Sequence, residues 1–237
     1  MTIIKLDLNP IGCKEVSNKH KTQLSEHTST EQGNHCYYQD KTLGLTIGDW
    51  DSVGGLALAT SQAIDQFIII IEGTAEIKNN KTGEVEIVSA ENSLVIPQGY
   101  DYQWQQSDYL RKFYLIYEPP MQDIPATPVC EHVIRIDDQH AMPWQATSDG
   151  FKKKLLYQSK NHKFTSGVWQ GSSFKTGSIT FPYNEFIYIK QGCLMCIDEQ
   201  GLAHKINAGE ALFVPQGAQC SWHSETSITL HFVQIKQ

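Results

Sequence analysis

Basic charge is scarce in this sequence. Lysine and arginine total 19 against 26 acidic residues, a formal net charge of −7, and the densest basic cluster is Lys152-Lys153-Lys154. A nucleic-acid binder needs a cationic stripe to displace counterions from phosphates, so nucleic acid is not expected as a partner. Three consecutive lysines read as the solvated start of a strand. Long apolar runs are missing too. The longest, Phe67 to Ile71, falls far below the length that crosses a bilayer. Residues 1–15 hold no apolar run longer than the pair Ile3-Ile4, where a secretory signal needs a continuous apolar stretch. No membrane partner is expected. The six cysteines are sparse and do not recur at matched places in the two halves, which fits a reduced, cytoplasmic protein better than a disulfide framework. Sustained helical periodicity is absent from the core segments. The nine histidines are scattered, and no two stand two positions apart.

What the chain does have is an internal repeat. Tyr38-Gln39-Asp40-Lys41 returns as Tyr157-Gln158-Ser159-Lys160, and Gly48-Asp49-Trp50 as Gly167-Val168-Trp169. Phe67 to Gly73 matches Phe186 to Gly192 at the same offset of 119. The offset then falls to 118, where Leu94-Val95-Ile96-Pro97-Gln98-Gly99 matches Leu212-Phe213-Val214-Pro215-Gln216-Gly217 and Trp104 matches Trp222. Ile3-Ile4-Lys5-Leu6-Asp7 resembles Val133-Ile134-Arg135-Ile136-Asp137, which leaves the first copy with a polar insertion at about residues 17–35. The segment 119–130 carries four prolines and reads as an extended linker. Two domains follow, 1–118 and 131–237.

Each copy reads as short strands separated by turn signals. Asn79 to Gly83 and its counterpart Asp198 to Gly201 are hairpin turns, where Asn and Gly tolerate positive φ. Repeated short strands with Gly and Pro punctuation predict an all-β sandwich or small barrel.

Gly209 followed by Pro215-Gln216-Gly217 resembles the second signature motif of the cupins, and Glu185 to Gly192 resembles the end of the first. The first copy has Glu91 in place of the leading Gly. A Gly-x-Trp before the barrel and a Trp five residues after Pro-x-Gly occur in both copies, as Gly48/Trp50 with Trp104 and Gly167/Trp169 with Trp222. These resemble the cupin branch that includes ureidoglycine aminohydrolase and an ethanolamine-utilisation protein. The resemblance implies two tandem double-stranded β-helix (jelly-roll) barrels, a bicupin, and a homodimer.

Metal-dependent cupins use a His-x-His pair, a Glu four residues on and a later His on the facing strand. Two imidazoles two apart on a strand point into the barrel together, and with the other ligands they leave open metal positions for substrate. Projected onto this chain, that spacing falls on Ile179, Phe181, Glu185 and Cys220 in the second copy, and on Thr60, Gln62, Gln66 and Tyr102 in the first. No histidine remains, and Glu185 with Cys220 beside Ile and Phe makes a poor site. No metal and no cofactor is expected. Cys193-Leu194-Met195-Cys196 has metal-ligand spacing, but residues three apart on a strand face opposite ways. One buried and one outer cysteine is the expectation there.

Strand parity puts Glu185, Ile187 and Ile189 on one face, and Cys220 with Trp222 on one face of another strand. The resemblance turns both faces into the barrel. The second pocket is then walled by Phe181, Tyr183, Ile187 and Trp222, with Glu185 and Cys220 as polar groups. A carboxylate in such surroundings resists ionising and can serve as acid or base. Cys220 becomes a nucleophile only if its thiolate is stabilised, with His231 as the candidate partner. Otherwise Cys220 is a packed thiol. The first pocket is more polar: Thr60, Gln62, Gln66, Tyr102 and Trp104 suit a small polar ligand. Lys112, where the branch tends to carry a Lys, would add one positive charge if it points inward, although lysines are seldom buried. Trp50 and Trp169 are expected as barrel-end packing.

These readings give three functions. The first is a metal-free protein that binds a small polar molecule in one or both barrels. The second is a hydrolase or isomerase of nitrogen or amine metabolism with Glu185 as acid/base. The third is a dimeric scaffold. A fold cannot choose among them, because function lives in the site.

Overall fold

The computed structural model describes residues 2–8, 32–57, 63–120, 130–147 and 151–236. Every regular element in them is a β-strand. In chain order they are β1 (Ile4–Leu6), β2 (Gln32–Asp40), β3 (Leu45–Ala57), β4 (Asp65–Glu72), β5 (Thr74–Asn79), β6 (Val85–Ser89), β7 (Ser93–Ile96), β8 (Tyr102–Tyr117), β9 (Ile134–Arg135) and β10 (Gln145–Ala146). The series continues with β11 (Lys152–Gln158), β12 (Phe164–Gly171), β13 (Phe174–Lys175), β14 (Ile179–Thr180), β15 (Asn184–Gln191), β16 (Cys193–Asp198), β17 (Ala203–Asn207), β18 (Ala211–Val214), β19 (Gln219–Ser224) and β20 (Ile228–Ile235). Among the described residues no helix is long and apolar enough to cross a membrane. The polar insertion and the middle of the Pro-rich segment lie largely outside the described residues.

Two compact units emerge, residues 9–134 and a second made of Met1–Leu8 with Arg135–Gln237. Their strand orders repeat each other. In the N-terminal unit one sheet runs β2-β3-β8-β4-β7, and in the C-terminal unit its counterpart runs β11-β12-β20-β15-β18. A second layer repeats likewise: β5 pairs with β6 and the first half of β8, as β16 pairs with β17 and β19. Antiparallel short strands in two facing layers make the jelly-roll barrel expected from the motifs.

Local chemistry fixes the repeated turns. In Pro97-Gln98-Gly99-Tyr100 the Tyr100 N–H donates to the Pro97 carbonyl at 3.1 Å, and the Ala218 N–H does the same to Pro215 at 3.1 Å. The third residue needs positive φ in such a turn, and Gly99 and Gly217 supply +80° and +83°. A buried side chain at the start of the preceding long strand clamps each turn. Asp65 Oδ1 accepts the Gln98 N–H at 2.9 Å, and Asn184 Oδ1 accepts the Gln216 N–H at 3.0 Å. Glu91 adopts φ 67° where its counterpart Gly209 sits at 88°. The N-terminal copy thus keeps the left-handed turn without the glycine.

The strand at residues 4–6, which the duplication puts at the head of the first copy, completes the other unit. β1 pairs with β18, Lys5 opposite Leu212, and Ile3 and Leu6 are fully buried, Ile3 in the C-terminal core. Lys5 anchors the strand by an ion pair with Glu210 at 2.8 Å. Val133, the counterpart of Ile3, enters the core of the N-terminal unit with Ile68, Ile70 and Trp104. Each core therefore receives its edge residue from the segment that precedes the other copy in sequence.

Candidate functional site

The inner face of the C-terminal barrel is set by alternation along three strands. β15 turns Glu185, Ile187 and Ile189 inward, β20 turns Leu230, Phe232 and Gln234 inward, and β12 contributes Gly167 and Trp169. Only glycine fits at position 167, because a Cβ there would lie 1.9 Å from the Lys154 carbonyl oxygen. Toward the open end this face leaves a cavity of about 290 Å³, near the lower end for small-molecule sites. Its wall is aromatic. Phe181 packs on Trp222 with centroids 5.0 Å apart, and Trp169 packs between Phe151 at 4.2 Å and Phe174 at 5.6 Å. Trp169 therefore lines the cavity and is not barrel-end packing, since its place on β12 faces the interior.

A polar chain crosses this wall. Lys153 Nζ donates to Gln234 Oε1 at 3.2 Å, and Gln234 Nε2 donates to Glu185 Oε1 at 3.1 Å. All three line the cavity. Burial pushes the Glu185 carboxyl up to about 7, against the opposing pull of the Gln234 hydrogen bond and the Lys153 charge. The same desolvation lowers the Lys153 ammonium, which also rests on the Phe232 ring at 4.3 Å. The lysine run is thus not a solvated strand start. Lys152 is exposed, but alternation sends Lys153 into the cavity and Lys154 to the other face, where it donates to the Asp138 and His140 carbonyls at 2.7 Å.

Tyr183, Phe181 and Trp222 line the cavity as expected, and Ile187 is buried in the core behind it. Cys220 is not among the lining residues. It is buried behind Trp222, whose indole N–H donates to its sulfur at 3.0 Å. A hydrogen bond from Cys196 lowers the Cys220 thiol and raises Cys196 in turn. Cys220 has thiolate-stabilising donors but no opening to the cavity. The packed thiol is the reading that survives. His231 cannot activate it, because the residues on either side, Leu230 and Phe232, take the inner face. The imidazole lies on the opposite face beside Tyr188, 6.0 Å between centroids, and burial lowers it to about 4. His231 is therefore neither a ligand-binding residue of this cavity nor a base within it. Cys196 shares the core face with Leu194, while Cys193 is on the outer side, as strand parity required.

In the N-terminal barrel Lys112 points inward, against the commoner fate of lysines. Its Nζ lies 4.7 Å from the Trp50 ring and 4.3 Å from Trp104, and burial lowers it to about 8. Trp50 is accordingly a platform for this ammonium and not end packing. Trp104 donates to Gln106 Oε1 at 3.0 Å. Tyr102, stacked on Tyr100, is raised to about 12 by burial, with a hydrogen bond to Gln66 opposing the shift. Gln66 and Tyr102 are thus brought together. Thr60 and Gln62 lie outside the described residues.

The donor set of the C-terminal barrel does not fit a cupin metal. Of the four ligand positions, Ile179 and Phe181 are apolar, Glu185 is bound to Gln234, and Cys220 accepts from Trp222. Among the described residues no three His, Cys, Asp or Glu side chains converge. Sequence reasoning missed Gln234 and Lys153. Gln234 stands four residues beyond Leu230 on one strand, so parity alone would have placed it on the inner face.

Residues 158–232 match the model of the EutQ-like cupin domain. No curated protein matches the chain. Among solved structures, a protein of unknown function from Pseudomonas syringae pv. tomato superposes with a TM-score of 0.80 at 15% identity, covering 98% of this chain and 99% of that one. A cupin 2 conserved barrel domain protein from Leptotrichia buccalis gives 0.65 at 10% identity over 90% and 92%. AerE from Microcystis aeruginosa gives 0.56 at 11% over 99% and 97%. The fold is that of the cupins, and the segment that matches the family model carries Trp169, Phe181, Glu185, Trp222 and Phe232 of the cavity wall.

Proposed function

We propose that this chain is a bicupin that binds a small polar molecule in its C-terminal barrel without using the cupin metal site. The observation that carries the reading is the cavity of about 290 Å³ whose aromatic wall holds one polar chain, Lys153–Gln234–Glu185. Apolar walls with few convergent polar groups are the usual make-up of a small-molecule site. A thermal-shift screen of amines, amino acids, carboxylates and sugars on the full chain tests it. The expected result is a saturable ligand whose affinity falls about tenfold or more in Gln234→Leu, since a buried polar contact is worth roughly 1–3 kcal/mol. Ligands that bind Gln234→Leu and Trp222→Ala as well as they bind the wild type would contradict it.

One observation favours a second reading, an enzyme of nitrogen or amine metabolism. A carboxyl with a pKa of about 7 at a cavity wall is poised for proton transfer near neutral pH. Turnover of a screened ligand, abolished in Glu185→Gln while binding persists, would select the enzyme. Binding without turnover leaves the first reading.

A further inference from the structure

The two barrels differ at one inner position in a way that identifies a ligand class. In the N-terminal barrel Lys112 pairs in register with Trp50 on one neighbouring strand and Ile70 on the other. In the C-terminal barrel Leu230 pairs with Trp169 and Ile189 in the same places. Trp104 stands opposite Ile77, and Trp222 opposite Cys196. The indole pair is therefore retained while the ammonium between its members is not. Lys112 Nζ sits 4.3 and 4.7 Å from its two rings, within the range of a cation–π contact. Leu230 has no charged tip to place there, and Leu230, Trp169 and Trp222 all line the open cavity.

The charge nearby changes in the complementary sense. The inner residue at the head of β4 is neutral Gln66, in the barrel that carries its own cation. Its counterpart on β15 is Glu185, in the barrel where Leu230 replaces that lysine. Lys153 does not fill the gap, because its ammonium is held on the Phe232 ring and on Gln234.

We propose that the C-terminal cavity takes a small organic ammonium, seated against the Trp169 and Trp222 indoles with Glu185 as its counter-charge. The N-terminal barrel presents the same arrangement already satisfied by a tethered lysine. This inference rests on the reading of the cavity as a ligand site and adds the chemistry of its ligand.

Calorimetric titration of the full chain with four probes of similar size tests it: n-butylammonium, tetramethylammonium, n-butanol and butyrate. The ammonium ions bind saturably, and the neutral and anionic probes bind about tenfold or more weakly. Leu230→Lys, which supplies the second barrel with its own tethered cation, weakens ammonium binding by a similar factor or more, and Glu185→Gln does likewise. Should Leu230→Lys fail to fold, Trp169→Leu makes the same test by removing one indole. Butanol or butyrate binding as tightly as the ammonium ions would overturn the assignment, as would unchanged ammonium binding in Leu230→Lys. If butyrate binds and Trp222→Ala abolishes it, the cavity stands as a ligand site and only the ammonium assignment falls. If no probe and no screened compound binds, both readings fall together.

Discussion

Glu185 concentrates the residue-scale chemistry. Its carboxyl ionises near 4.5 when freely solvated and near 7 in the fold, because burial outweighs the help of Gln234 and Lys153. A carboxyl raised in this way favours the folded state while protonated. Its contribution is complete below about 4.5 and is lost as pH rises through 7. Glu185→Gln keeps an acceptor for Gln234 and cannot ionise. Its stability relative to the wild type should therefore grow from pH 4.5 to 7 and level off above, reaching at most roughly 3 kcal/mol. Urea unfolding of both proteins at several pH values checks this, and parallel pH profiles would contradict it. The candidate site was partly legible at this scale. Glu185, Phe181, Tyr183 and Trp222 follow from strand parity and the repeat once the cupin resemblance turns their faces inward. Lys112 and Lys153 were harder to read, since lysine is usually solvated and neighbours on other strands, aromatic rings for both and Gln234 for Lys153, hold these two inside. His231 was misplaced for the opposite reason: closeness in sequence to Cys220 says nothing about which face of the next strand a side chain takes.

At the scale of elements, the duplicated turns bear most of the fold's legibility. Pro-Gln-Gly at 97–99 and 215–217 demands a particular turn, and the structure contains it twice with the same hydrogen bond. Where the two copies part company, a cost is visible. Glu91 adopts the left-handed conformation that Gly209 occupies freely, at an expense of about 1 kcal/mol for a side-chain-bearing residue. Glu91→Gly should raise stability by at most roughly 0.5 kcal/mol, once the extra freedom of glycine in the unfolded chain is subtracted. A shift of the urea midpoint at unchanged slope would show it. A fall in the midpoint would mean that the Glu91 side chain contributes more than its backbone loses.

Over the whole molecule, the repeat predicted two units, but it could not say which unit each edge strand completes. Sequence order joins residues 1–8 to the first copy, whereas packing joins them to the second. Edge pairing is decided by long-range register, to which local pattern is blind. The consequence is measurable. Leu6 is fully buried, so Leu6→Ala should cost about 2–5 kcal/mol, and the loss should appear in unfolding of the C-terminal unit, which carries Trp144, Trp169 and Trp222. Chemical-shift changes confined to residues 32–120 would instead place the strand with the first copy.

The proposed function places a small molecule within the aromatic cavity of the C-terminal barrel. The most direct test is a crystal structure of the full chain grown with the tightest binder from the screen. Ligand density enclosed by Glu185, Trp169 and Trp222 is the predicted result. Density on the N-terminal unit or on the outer surface, with the C-terminal cavity holding only solvent, would contradict the account.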